Sequence, residues 1–440
     1  MNFHRMLYTL YDFCNHKKLS RCVNKLEAAY QSGRPGEIDS ILKYAVNNVP
    51  AYQALKLKEL RLESFPVTQK EIIKNAAEDF LSTQYSKDSL IAGRTSGSSG
   101  APFRFYWDKD KALSRTAEVI YHNSWLGYRV GDLHLLNAVG GRKGKIKAML
   151  QNEILENPCN ISDEWLARQR TLLIDKKIPY YVAYGSVLDR LSQFCADQGD
   201  NPKIYALKGV ISTAEHLSEE ASARAESVFG CTVLCRYAML ETGLLAHQCP
   251  EEKQYHVNVG NYHIEFLKQD SDTPAQPGEV SRVVVTDLNA MAMPLIRYDT
   301  GDLAVVDNTP CRCGKKGPII KQLMGRRIDN LINESGKTVS WFSINHAMRT
   351  FESFKKYQLI QHRLDLCDVN VIADNHSEEK AIKNAVHSLL GHSVDVRVHF
   401  VDSIEPLSSG KAPYVINKIL PSKSSQHQPT SRENALADTA

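Results

Sequence analysis

The sequence predicts an α/β protein, with a large N-terminal part of β-sheets flanked by helices, a β-rich stretch within it, and a small α+β unit at the C-terminus. Three observations predict this. Strand-like and helical patterns alternate up to about residue 230, a β texture with few helical stripes follows, and from about 326 a short set of strands surrounds one helix. The expected division is 1–325, 326–421 and a tail at 422–440.

Taken in order, "VTQKEIIKNAAEDFL" places Thr68 and Glu71 at capping-box spacing ahead of a helical apolar stripe, and "FRFYW" then reads as extended. Helices are expected at 109–126, 163–176, 186–198 and 218–228, interspersed with the strands "LHLLNAV", "YYVAY", "IYALKGVIS" and "TVLCR". "YHIEFL" and "EVSRVVVT" are joined by the Asp/Pro/Gly-rich "QDSDTPAQPG", the chemistry of a hairpin or longer β connection. The last unit carries strands near 357–363, 368–373 and 394–400 and a helix near 377–390, while "PSKSSQHQPTSRENALADTA" has no apolar pattern and reads as disordered.

The chain has 440 residues and 42% hydrophobic content, enough for a sizeable core. Its 54 Lys+Arg against 50 Asp+Glu give a net charge of +4, too slight for a dedicated nucleic-acid binder. Ten cysteines without a regular framework read as reduced thiols of a cytoplasmic protein. No apolar run approaches the length of a membrane span, and the start, "MNFHRMLYTLYDFCNHKK", is an amphipathic segment compatible with peripheral membrane contact. Nothing in the sequence fixes the oligomeric state.

The stretch "RTSGSSGAPFRF" holds six successive Gly, Ser or Thr residues, Thr95 to Gly100, immediately before a strand. A linker has indifferent flanks; a phosphate-holding loop lies between ordered elements. Gly97 and Gly100 let the backbone curl round an anion, and Thr95, Ser96, Ser98 and Ser99 offer hydroxyls. The Gly-Lys-Ser/Thr ending of a P-loop is missing, which argues against a P-loop kinase.

"TSGSSGAP" is followed in order by "RYAMLETG" at 236–243, "IRYDTGDL" at 296–303 and "LSSGKAPY" at 407–414. Together these resemble the core motifs of the adenylate-forming superfamily. The resemblance is nearest to the phenylacetate-CoA ligase family, in its capsular polysaccharide biosynthesis branch. It extends through "ILKYAVNNVPAYQAL", "FPVTQKEIIKN", "STAEHLSEEASARAESVFG" and "CRCGKKGPIIKQLMGR", so that it spans roughly residues 35 to 420.

The resemblance implies an ATP- and Mg²⁺-dependent ligase that joins a small carboxylic acid to AMP with release of pyrophosphate. The acyl group then passes to CoA, or to an amine or hydroxyl acceptor in surface-polysaccharide synthesis. It implies Glu241 as Mg²⁺ ligand and Lys411 as the cation that meets the developing charge when a mobile small domain closes. Thr95 to Gly100 would hold phosphates, with Ala214, Glu215, Tyr237, Ala238 and Met239 around the nucleotide, Asp302 and Arg326 at the ribose, and Asp329 at the hinge. Physical chemistry agrees, since bringing a carboxylate to a polyphosphate requires charge neutralisation and alignment. Read without it, Glu241 is a helix-start carboxylate, "YDTGD" is a turn punctuating two strands, and Arg326 and Lys411 are solvated cations.

Two departures stand out: Leu240 where many relatives have Thr, and Ala101 where Lys or Thr is frequent. They favour the alternative of a non-catalytic nucleotide-binding or scaffold protein, but neither removes the carboxylate or cationic centre. Cys249 and His256 in "CPEEKQYHV", with Cys311 and Cys313 in "PCRCGKKG", offer four ligands for a structural Zn²⁺, with His247 as substitute; reduced thiols on a β surface are the other reading. "GGRKGKIK", with Arg142, Lys143, Lys145 and Lys147, reads as a solvated loop. No motif specifies the acid; His122, Trp125 and Tyr184 are scattered candidates for its pocket or ordinary core.

Overall fold

The computed structural model describes residues 3–95, 103–138, 151–158, 161–307, 309–326, 331–336, 338–339, 341–348, 350–351, 353–373, 377–404 and 414–419. The chain divides into two compact units, Met1–Leu323 and Met324–Ala440. The alternation of strand and helix patterns is realised as a mixed α/β architecture.

A 12-stranded sheet dominates, with two halves of opposite character. In one half, the strands Glu153–Glu156, His134–Asn137, Tyr180–Tyr184, Gly209–Thr213 and Thr232–Met239 are all parallel. Helices cross over between them, as parallel pairing demands. Asp163–Asp175 and Glu219–Phe229 start on serine caps, Ser162 accepting from Trp165 N and Ser218 from Ala221 N. Gly185–Asp197 buries Val187, Leu188 and Leu191 in the same core as Tyr181, Val210 and Val233.

In the other half, Gly243–Gln248, Tyr255–Val257, Ile319–Arg326, Tyr298–Asp307, Val280–Asp287 and Tyr262–Leu267 follow one another, antiparallel wherever register is described. The halves meet at Thr232–Met239, parallel to one neighbour and antiparallel to the other. The second unit has a four-stranded sheet in the order Asp395–Phe400, Leu366–Ala373, Phe354–Arg363, Val415–Asn417. Against it lies helix Glu379–Leu390, which buries Ile382, Val386 and Leu390; each such side chain contributes about 1.5–3 kcal/mol.

Three local expectations are corrected. Thr68 caps no helix: with Gln69 it forms a short strand parallel to Tyr298–Asp299, its N–H donates to Arg297 O, and the following helix is only Lys70–Asn75. Tertiary pairing outbids the capping box. "IYALKGVIS" is strand only from Gly209, since Pro202–Ile204 is a 3-10 turn. "YDTGD" does not separate two strands but lies inside one, Tyr298–Asp307, with Gly301 at φ 79°. Helix Trp341–Met348 and strand Val415–Asn417 are additional to the expected elements.

Candidate functional site

The meeting point of the two half-sheets is where side chains with chemistry collect. Ligands of α/β sheets bind beyond the carboxyl ends of the parallel strands, and "STAEHL" leaves one such end. Ala214 follows strand Gly209–Thr213 with φ 64°, a left-handed conformation that a Cβ disfavours. Glu215 accepts from Ser186 N at 3.1 Å, at the start of helix Gly185–Asp197. Gly185 allows this approach: a Cβ there would stand 2.4 Å from His216 O.

Strand Thr232–Met239, which carries Tyr237, Ala238 and Met239, then turns at Leu240–Thr242 into Gly243–Gln248 with a register shift between Tyr237 and Ala238. Glu241 lies in this turn, not at a helix start, and is 4% exposed. Tyr298 Oη donates to Glu241 Oε1 at 2.8 Å and Lys70 Nζ stands 3.5 Å from the same oxygen. Among the described residues no hydrogen bond reaches Oε2. Trp107 Nε1 donates to the Glu241 carbonyl at 2.9 Å, and Arg115, its guanidinium over the Trp107 ring, donates to Leu240 O at 2.8 Å.

Asp302 arrives from the far half-sheet. The register jumps from Val284↔Asp299 to Arg282↔Leu303, so Thr300, Gly301 and Asp302 form a bulge that aims Asp302 off the ladder. Tyr237 Oη donates to Asp302 Oδ2 at 2.6 Å. Burial, with the Asp302 and Glu241 carboxylates nearby, raises the Tyr237 phenol well above its ordinary range; Tyr298 is raised in the same way, with Glu241 next to it. Both phenols therefore stay neutral donors. The motifs "RYAMLETG" and "IRYDTGDL" are thus joined by two tyrosine–carboxylate bonds.

Of the glycine/serine stretch, Thr95 is described: it is buried, its N–H donates to Phe103 O at 3.0 Å, and its Oγ1 has no partner among the described residues. The flanking strands Ile91–Arg94 and Arg104–Trp107 pair antiparallel. Lys70 Nζ, 5.5 Å above the Phe103 ring, links this hairpin to Glu241. Ser96, Gly97, Ser98, Ser99, Gly100, Asp329, Lys411 and the cations of 142–147 lie outside the described residues, and of Arg326 only the backbone is described.

Residue reasoning missed Lys70, Trp107 and Tyr298, although each lies in a stretch it singled out. It also missed what holds the Glu241 turn from behind. Glu118, fully buried, accepts from Asn261 Nδ2 and Tyr262 Oη at 2.8 Å each and from Leu244 N at 2.9 Å. Lys111 Nζ lies 2.5 Å from Asp287 Oδ2 and 3.2 Å from Tyr262 Oη. Gly243 is required here, since a Cβ would meet Tyr262 Oη at 2.4 Å.

A second cluster lies on the antiparallel half. Arg236, His247 and His256 stand opposite one another across three strands. Donor atoms of Cys249, His256, Cys311 and Cys313 fall within 4.8 Å of one another, with Cys249 Sγ 3.5 Å from Cys311 Sγ and Cys313 Sγ 3.2 Å from His256 Nε2. The sulfurs are too far apart for a disulfide of about 2.05 Å. The separations are close to the roughly 3.5–3.8 Å between donors on a tetrahedral ion with Zn–S near 2.3 Å. Hydrogen bonds from His256 and the Glu252 and Gln254 amides outweigh burial and bring the Cys249 thiol down to about 6, whereas burial raises Cys311. His256, not His247, is the histidine of this set; His247 Nδ1 is bonded to Gln248 O. His122 and Trp125 pack beside this cluster, and Tyr184 against the parallel-sheet core.

Residues 331–418 match the CapK C-terminal domain family. Along 95% of its length the chain is 22% identical to Protein CapK of Staphylococcus aureus, covering 94% of that protein. Over 175 residues, 39% of each chain, it is 27% identical to phenylacetate-coenzyme A ligase of Thermus thermophilus. Among solved structures it superposes on 2-hydroxyisobutyryl-CoA ligase in the postadenylation state, in complex with 2-HIB-AMP, with a TM-score of 0.68 at 18% identity, covering 90% of this chain and 88% of that one.

Proposed function

Because the chain belongs to the adenylate-forming ligases, in the branch of phenylacetate-CoA ligase and CapK, we propose that it activates a carboxylic acid with ATP. The carboxylate oxygen attacks the α-phosphorus, a P–O bond forms, and the bond to pyrophosphate breaks. The acyl-adenylate then passes its acyl group to CoA, or to an amine or hydroxyl of a surface-polysaccharide precursor, and AMP leaves. The observation that carries this reading is the convergence of Glu241 and Asp302, 61 positions apart in number, on the neighbouring phenols of Tyr298 and Tyr237.

The roles are those the resemblance assigns, and for Glu241, Asp302 and Thr95 the surroundings described above support them. Glu241 would hold Mg²⁺, a hard cation that prefers carboxylate oxygens and offsets polyphosphate charge. Asp302, aimed off its strand by a bulge, accepts from ribose hydroxyls. Thr95, whose buried hydroxyl has no partner among the described residues, and the serines after it would donate to phosphate oxygens. Ala214, Glu215 and Tyr237 border the adenine, and Arg326 and Lys411 supply positive charge at the ribose and the reacting phosphate, with Asp329 as hinge.

For the second cluster we propose a structural Zn²⁺ held by Cys249, His256, Cys311 and Cys313, which would tie the Gly243–Gln248, Tyr255–Val257 and Ile319–Arg326 segments together. Arg236, which burial lowers to about 10 and whose described side-chain bond is to Asn123, gives this region a positive charge that suits the net −1 of a zinc tris-thiolate.

The test is pyrophosphate release across aryl, fatty, amino and sugar acids, with and without CoA, together with exchange of labelled pyrophosphate into ATP. Acid-dependent release and exchange are expected. Folded protein that is stabilised by ATP yet exchanges nothing with any acid would instead support the scaffold alternative, for which exposed Leu240 is the motivating departure.

A further inference from the structure

The first helix, Phe3–Cys14, turns an apolar stripe to solvent. Arg5 and Asp12 face the protein: Arg5 Nη2 donates to Asp132 Oδ1 at 3.0 Å, and its Nε to Val130 O. Asp12, 7% exposed, caps the next helix by accepting from Leu19 N at 2.8 Å and Ser20 N at 3.2 Å. Gly131, at φ 86°, presses on the same side, where a Cβ would stand 2.7 Å from Arg5 N.

Five apolar residues face solvent, while Leu7 and Tyr8 are half-buried and Tyr8 packs against Leu19, Leu26 and Ala117. Phe3, Met6, Leu10, Tyr11 and Phe13 are 46–67% exposed, which is five of the 13 large exposed hydrophobic side chains among the described residues, on one 12-residue helix. At 100° per residue they fill an arc of roughly 160°. Scattered apolar exposure is ordinary, but a contiguous stripe marks an interaction surface. The ion pair and the cap prevent the helix from rotating the stripe inward.

We propose that this stripe docks on an anionic lipid surface, the helix lying in the headgroup plane. Its chemistry fits that occupant. Phe, Tyr, Met and Leu fill the stripe, Asp12 is the helix's sole carboxylate, and the exposed cations Lys17, Lys18 and Arg21, with His16, follow at its C-terminal end. The carboxylate that meets them is Asp110, 3.1 Å from Lys18 Nζ. An apolar face flanked by cations is how interfacial helices bind anionic membranes. A second copy fits less well. The stripe is one helix wide and about 18 Å long, smaller than the roughly 800 Å² per partner of a stable protein interface.

The test is flotation of the full chain with vesicles of phosphatidylglycerol and phosphatidylcholine, and with phosphatidylcholine alone. Wild type is expected to float with the anionic vesicles and to be released by high salt. Leu10→Glu/Phe13→Glu should keep its melting temperature, since both side chains are exposed, and lose binding at least tenfold; Lys17→Glu/Lys18→Glu should lose it severalfold. Failure of wild type to float, equal binding to neutral vesicles, or unchanged binding of Leu10→Glu/Phe13→Glu overturns the proposal. A dimer that Leu10→Glu/Phe13→Glu dissociates, without lipid binding by wild type, also overturns it and assigns the stripe to a second copy. Vesicle binding is independent of the ligase reading, and Glu241→Gln should float like wild type.

Discussion

Glu118 and Glu241 are both buried carboxylates beside the Leu240–Thr242 turn, and they are treated oppositely. Glu118 has bonds on both oxygens, from an amide side chain, a phenol and a backbone N–H. Among the described residues, Glu241 has one phenol at 2.8 Å and a lysine at 3.5 Å on a single oxygen. A saturated carboxylate can only hold its surroundings; an undersaturated one has coordination left for a cation. The first supports the turn and the second uses it.

Exchanging the two roles gives the largest expected effects. Glu241→Gln retains an acceptor for Tyr298 but loses the charge, so pyrophosphate exchange should fall at least about 100-fold, with stability within about 1 kcal/mol of wild type. Glu118→Ala strands the Leu244 amide and takes one acceptor each from Asn261 and Tyr262, and should cost about 1–3 kcal/mol, read as a lower urea midpoint. If Glu118→Ala abolished exchange without moving that midpoint, or Glu241→Gln unfolded the protein, the contrast would be wrong.

The Cys/His cluster extends the comparison to a set of donors that the protein leaves facing one another. One equivalent of zinc is expected by elemental analysis of protein purified without chelator. Cys311→Ser should reduce that content and lower the melting temperature by several degrees, because metal binding is linked to folding, while the remaining folded fraction still exchanges pyrophosphate. Metal-free wild type with an unchanged melting temperature in chelator would refute the zinc assignment.

Much of this was legible in the chain. Alternating helical and strand-like patterns place the crossover helices and the parallel strands, because each signal is local. Ordered motifs also pick out Glu241 and Asp302. What local pattern cannot show is long-range competition. Thr68 looks like a cap until Tyr298 pairs with it, and Gly301 looks like a turn until the ladder runs through it as a bulge. Lys70 lies 171 positions from Glu241, and nothing in "FPVTQKEIIKN" distinguishes it from Lys74. Glu118 is one carboxylate in the helix Lys109–Asn123, and only the fold reveals that it is fully enclosed.

Histidines provide a smaller, pH-dependent contrast. His122 is buried with Nδ1–H directed to Glu118 O at 2.8 Å and Nε2 accepting from Tyr30 Oη at 2.9 Å. Burial lowers it from 6.5 to about 3, only partly offset by the bond to Glu118 O. The unfolded chain therefore takes up this proton first. The stability it confers is complete above about pH 6.5 and is lost on acidification toward about pH 3, at roughly 1.4 kcal/mol per unit. Urea midpoints at pH 7.5 and 4.5 should fall less in His122→Asn than in wild type; equal falls would show that His122 is not the proton acceptor.

Lys70 offers the finest adjustment. Its ammonium shares Glu241 Oε1 with Tyr298, and at 3.5 Å it competes with any cation for that oxygen. The side chain is 29% exposed, so solvent screens the pair and its value is at most about 1 kcal/mol, a factor of about five in an equilibrium constant. Removing the competitor should make the carboxylate more available. Lys70→Met is therefore expected to lower the half-saturating magnesium concentration of pyrophosphate exchange by up to about fivefold, with little change in melting temperature. A raised magnesium requirement would reverse the argument: Lys70 would then orient Glu241 toward the cation, and the carboxylate would be poised rather than merely undersaturated.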